Sequence, residues 1–175
     1  MKQTKNLIIA GLCVALGLVL PFAFHSIPNA GTIFLPMHIP VLLCGLICGP
    51  IYGLACGILT PLLSSLLTSM PPMAILPGML CELAVYGLVG GLLIKLVKTR
   101  YQAANLYLSL VGAMICGRIV SGVLNSLIFR AGDYSLQMWL ASSFITALPG
   151  IVIQLILIPV LIFTLQKARL VQFAH

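Results

Sequence analysis

The chain of 175 residues is 61% hydrophobic and only 6% charged, with a formal net charge of +7. A water-soluble domain carries about 25% charged residues, so this composition excludes a globule with a solvated surface. Lipid must be the solvent for most of the exterior. At roughly 20 apolar residues per crossing, the length holds about six or seven spans and leaves no room for a separate soluble domain.

The apolar runs follow one another with little between them. The first, 7–24, stands behind Lys2 and Lys5 and is bent or ended by Pro21. Its length and charge resemble a signal peptide. It lacks a small-x-small cleavage site ahead of a polar mature sequence, so a retained helix is expected. After a loop with Pro28, Asn29 and Gly31, the stretch 34–67 is too long for one crossing; as a single helix it would reach about 51 Å. Gly49-Pro50 divides it into helices at 37–48 and 51–67, the pair either spanning fully or forming a re-entrant hairpin, and Thr68-Ser69-Met70-Pro71-Pro72 closes it. Further helices are predicted at 74–97, 106–129 and 138–165, with Pro149 and Pro159 expected to kink the last. The prediction is an all-α integral membrane protein, a single bundle of about six transmembrane helices filling residues 1–175 as one domain.

The cations set the orientation. Lys2, Lys5, Lys95, Lys98, Arg100, Lys167 and Arg169 gather at segment ends that six crossings place on one side, whereas the other side holds Arg130, offset by Asp133. Both termini are therefore expected in the cytoplasm. The basic residues do not interleave with aromatics on one face, so nucleic acid is not an expected partner. Cys13, Cys44, Cys48, Cys56, Cys81 and Cys116 all fall within apolar runs and read as small hydrophobes, without the spacing of a metal site. Gly45, Gly49, Gly53 and Gly57 recur at every fourth position, a stripe that lets another helix approach closely. Gly11-x-x-x-Ala15 in the first helix is the same device, open to an internal or an external helix.

Ionisable groups at membrane depth need a reason. Glu82 and Arg118 fall at similar depths in the outer half, roughly 12 Å and 16 Å from their helix ends. They are expected either to pair directly as a structural clamp or to line an outward-facing cavity that binds a polar ligand. Tyr86 lies one turn from Glu82, and Asn125 lies two turns from Arg118 on the same face, with Ser121 between them. His38 enters the second helix from the outer loop and completes the candidate substrate site of Glu82, Tyr86, Arg118, Asn125 and His38. Ser142, Ser143 and Thr146 occupy the outer end of the last helix. Trp139 reads as an interfacial belt residue, and Gln154 falls deeper, outside the candidate site. Catalysis has no foothold: the chain holds no nucleophile–base pair, no His-Glu-x-x-His and no phosphate-binding Gly-x-x-x-x-Gly-Lys-Ser/Thr. Neither an enzyme nor a bound cofactor or metal is expected.

Four stretches together resemble the substrate-binding S components of energy-coupling factor (ECF) transporters, in the branch of folate, riboflavin, pantothenate and pyridoxine binders. They are Ala10-Gly11-Leu12-Cys13-Val14-Ala15-Leu16-Gly17, Leu35-Pro36-Met37-His38-Ile39-Pro40, Gly49-Pro50-Ile51-Tyr52-Gly53-Leu54 and Glu82-Leu83-Ala84-Val85-Tyr86-Gly87-Leu88. The resemblance implies a multi-pass protein of the cell membrane that captures a vitamin or related micronutrient from outside. It implies a transmembrane coupling protein and two cytoplasmic ATPases as partners, with docking through Ala10, Gly11 and Ala15. The chain begins Met1-Lys2 where nickel and cobalt components carry Met-His, which argues against metal cargo. A Glu/Arg/Asn site suits a small hydroxylated or carboxylated ligand, pyridoxine or hydroxymethylpyrimidine on one hand and pantothenate on the other. Two readings compete. A non-binding assembly subunit would use Glu82 and Arg118 as a clamp, and a proton-coupled carrier would need no ATPase.

Overall fold

The computed structural model describes residues 2–23, 30–129 and 135–171. Among these residues there are no strands, and six helical segments are long and apolar enough to cross a membrane: Gln3–Pro21, Gly31–Cys48, Pro50–Thr68, Leu76–Leu96, Gln102–Phe129 and Leu148–Lys167. The protein is an all-α multi-span membrane protein. Arg130 and Asp133, the expected charges of the outer side, lie outside the described residues.

Helix α1 spans Lys2–Ala23, with Pro21 inside its last turn. The short α2, Ala30–Phe34, is followed by a turn in which Leu35 takes a left-handed φ of 51°. That turn delivers the chain into α3, His38–Cys48. A helix of 11 residues rises only about 16 Å, so α2 and the turn complete the second span. Gly49 then breaks the path with φ 99°, a value suited to glycine, and Pro50 opens α4, Pro50–Thr68, at a position where its missing N–H removes no helical bond. Helix α5 spans Leu76–Leu96 and α6 spans Gln102–Leu124, the latter running on into a π-helical turn, Asn125–Phe129.

The last predicted helix, 138–165, is divided. Helix α7 (Leu136–Leu140) passes through a π-helical turn (Ala141–Thr146) before α8 (Leu148–Lys167) begins. Pro149 therefore stands in the first turn of α8 and initiates a helix instead of kinking one, while Pro159 lies inside it.

Helix α3 is the axis of the bundle. All of its residues are buried, and it packs against α1, α4, α5, α6 and α8. The glycine pattern explains how α3, α4 and α5 converge. A Cβ on Gly45 or Gly53 would run into the carbonyl of Gly87, a Cβ on Gly87 into that of Gly53, and a Cβ on Gly57 into that of Leu83. Three backbones thus meet where van der Waals packing replaces the hydrophobic drive that lipid cannot supply. Gly49 serves the chain break, and its backbone with that of Pro50 also lies where a Cβ on Gly91 of α5 would go. The thiols of Cys13, Cys44, Cys48 and Cys56 are buried and free, with Cys44 among the other three. No group of described His, Cys, Asp or Glu side chains could hold a metal ion.

Candidate functional site

His38, Glu82, Tyr86 and Arg118 gather where the start of α3 meets α5 and α6. His38 is the first residue of α3, and its backbone N–H donates to the Leu35 carbonyl at 3.1 Å. The left-handed turn at Leu35 thus carries the imidazole inward. Its side chain is 3% exposed, and Nε2 lies 3.7 Å from Oε1 of Glu82, whose side chain is 19% exposed. The same imidazole meets the Tyr86 ring edge to face, with centroids 5.3 Å apart and planes at 71°.

Glu82 and Tyr86 stand one turn apart on α5, as their spacing predicts. The fully buried Tyr86 ring lies where a side chain on Gly117 of α6 would be, so only glycine at 117 leaves room for it. The Tyr86 hydroxyl lies near both the Glu82 carboxylate and the Arg118 guanidinium, yet forms a well-aligned hydrogen bond with neither.

Arg118 is held from two sides by a pair of aromatic residues that also pack on each other. Its carbonyl accepts a hydrogen bond from Trp139 Nε1 at 3.0 Å, the Trp139 ring stacks edge to face on Phe144 at 5.5 Å, and the guanidinium lies 5.6 Å from the Phe144 centroid. Trp139 is therefore a strut between α7 and α6, fitted over Gly122. The direct Glu82–Arg118 pair does not form. The carboxylate faces His38, and Arg118 acts on it through space.

Asn125 sits farther out. Its Nδ2 donates to the Ser121 carbonyl at 2.8 Å and approaches the Ser121 hydroxyl at 3.3 Å, and its amide covers Gly78, one turn outward of Glu82. Its amide nitrogen is already partnered within α6, so Asn125 roofs the cluster. The Ser142 hydroxyl likewise turns back to the Trp139 carbonyl at 3.3 Å.

One further buried polar residue stands outside the candidate site read from the sequence. Gln154 of α8 is fully buried, and both ends of its amide lack partners. The signal was there: a glutamine in the middle of the most apolar run demands a partner at that depth. His38 Nδ1 and Nε2, the Tyr86 hydroxyl, Arg118 Nε and Nη2, and Gln154 Oε1 and Nε2 are all buried without hydrogen-bond partners. In water-free surroundings each such group costs several kcal/mol.

A cavity of about 130 Å³ opens between α6 and α8 beside this cluster, bounded by Arg118, Phe144, Met114 and Ile151. The larger crevice, about 780 Å³, lies near the Cys48 end of α3, among Ile8, Leu12, Leu43, Ile47 and Leu165. Its walls are almost wholly aliphatic, so it offers no polar recognition. On α1, Gly11 and Ala15 face outward, and a side chain on Gly11 would meet no other atom; Ala10 is turned partly toward the core.

No curated protein and no solved structure gives a match to the chain. The family model "ECF transporter, substrate-specific component" matches residues 5–162. With six apolar helices and a match across nearly its whole length, the chain belongs to the family of substrate-specific components of ECF transporters.

Proposed function

We propose that His38, Glu82, Tyr86, Arg118 and Gln154, roofed by Asn125, form the site at which this importer subunit takes a small polar vitamin or related micronutrient from outside the cell. The candidates are pyridoxine or hydroxymethylpyrimidine-like compounds and pantothenate-like ones. The observation that carries the reading is the set of buried polar atoms without partners in His38, Tyr86, Arg118 and Gln154. A purely structural clamp would satisfy its own hydrogen bonds, because unpaired polar groups in a bilayer destabilise the fold. A binding site leaves them for the ligand.

Substrate-specific components bind small molecules and associate with a coupling protein and ATPases. In our reading both termini and the linker between α5 and α6 face the cytoplasm, because Lys5, Lys95, Lys98, Arg100, Lys167 and Arg169 gather there. The transmembrane coupling protein and two cytoplasmic ATPases then work from that side of the cell membrane. The exposed face of α1 around Gly11 and Ala15, supported from behind by Ala10, is the docking face.

The test is to purify the protein in detergent from cells grown in rich medium, denature it, and identify released small molecules by mass spectrometry. A stoichiometric vitamin-sized compound, lost from Glu82→Gln or Arg118→Ala protein, is the expected result. No released compound, together with no vitamin raising thermal stability on titration, would overturn the reading in favour of a non-binding subunit.

A further inference from the structure

The unpaired atoms of Arg118 are Nε and Nη2. These two N–H groups form one edge of the guanidinium, the fork that grips both oxygens of a carboxylate at once. The rest of the residue is committed elsewhere: its carbonyl to Trp139 and its guanidinium face to Phe144. Because the side chain is 3% exposed, the fork is fixed in direction and shielded from water.

The placement of the charged groups points the same way. A guanidinium does not give up its proton, so Arg118 is a permanent cation at membrane depth. The chain has two acidic residues, Glu82 and Asp133. Glu82 faces His38 at 3.7 Å, and Asp133 is outside the described residues. Among the described residues no carboxylate closes on the Arg118 fork. A buried charge left in this condition is destabilising unless an anion arrives.

Resting on the reading of this cluster as the ligand site, we infer that the ligand is a monocarboxylate whose acid group docks side-on to Nε and Nη2 of Arg118. The Tyr86 hydroxyl and the Gln154 amide receive its neutral hydroxyl, carbonyl or amide groups. A phosphate ester fits less well. It would bring about two negative charges toward Glu82, with one arginine to offset them. Of the candidate vitamins, the inference selects the pantothenate type over the uncharged pyridoxine and hydroxymethylpyrimidine types.

The test uses full-length protein in detergent, stripped of any carried ligand. The fluorescence of Trp139, the one tryptophan in the chain, reports on binding from its contact with Arg118. Matched pairs are titrated: pantothenate against the corresponding alcohol, nicotinate against nicotinamide, with pyridoxine and its phosphate ester alongside. An acid that binds at least about 30-fold more tightly than its neutral partner is expected. Arg118→Lys should weaken the acid by about 10-fold or more, while Arg118→Gln removes the preference for it. A neutral member or the phosphate ester binding as tightly as the best acid would overturn the inference while leaving the binding site standing. If no member binds, the compound released from protein purified out of rich medium decides: a carboxylic acid upholds the inference, a neutral compound or phosphate ester overturns it, and the release of nothing overturns the binding reading as well. The wild-type comparison stands even if the variants fail to fold.

Discussion

Glu82 Oε1 stands 3.7 Å from Nε2 of His38, across the meeting of α5 with the first turn of α3, and this contact diverts the carboxylate from Arg118. The consequence is a site with a divided character. One side is an acid–imidazole pair, and the other is a cation whose fork has no partner among the described residues. Had Glu82 closed on Arg118, the two charges would have cancelled as a clamp between α5 and α6.

This arrangement sets the order of coupling energies. In double-mutant cycles on thermal stability, Glu82→Gln with His38→Gln should show a coupling of about 0.5–3 kcal/mol, the range for residues in contact. Glu82→Gln with Arg118→Gln should show less, because those charges act at longer range. A larger coupling for the second pair would mean that the acid serves the arginine first.

Gln154 separates folding from function. Both ends of its amide are buried and unpaired, so the empty protein bears a desolvation cost of about 1–3 kcal/mol there. Gln154→Leu removes that cost at similar volume. The ligand-free variant should therefore melt higher than wild type in detergent, while its affinity for the natural ligand falls by about 10-fold or more. A variant that melts lower would show that the glutamine is satisfied within the fold.

The spans, the membrane setting and the polar level of the site were legible in the sequence, because bilayer thickness and the cost of buried charge act on any chain. Depth and helical spacing singled out Glu82, Tyr86 and Arg118, and His38 was singled out by its entry from the outer loop. Which acid met which base was not legible, since the pairing depends on the turn at Leu35 that swings His38 inward. The π-helical turns at Asn125–Phe129 and Ala141–Thr146 were likewise hidden. They change the register of outer helix ends without breaking the apolar pattern, and the second moved Pro149 from the middle of a helix to the start of one. Gln154 escaped because its greater depth set it aside, although an amide in the middle of the most apolar run carries the same demand for a partner.

The glycine crossing should respond to a single methyl group. Gly87→Ala places a Cβ against the carbonyl of Gly53, a backbone atom that cannot rotate away. A destabilisation of about 1–3 kcal/mol is expected, measured as a lowered melting temperature in detergent. Gly11→Ala is the matched control, because its Cβ meets no atom and the isolated subunit should melt as wild type does. Equal effects at both positions would mean that helix propensity, not packing, governs.

Helix α1 offers the complementary separation, between binding and assembly. Cys13 and Gly17 face the bundle, whereas Leu12, Ala15 and Leu16 lie on the exposed side with Gly11. Lipid would accept any apolar residue on that side, so small residues at 11 and 15 have no purpose there unless another helix comes close. Gly11→Leu with Ala15→Leu should therefore leave ligand affinity within about 2-fold of wild type, since neither residue touches the polar cluster. Co-purification with the coupling protein and its ATPases should be lost, and uptake by cells with it. Retained assembly in that double variant would move the docking face elsewhere, and the apolar crevice between α1, α3 and the end of α8 would be the next surface to block.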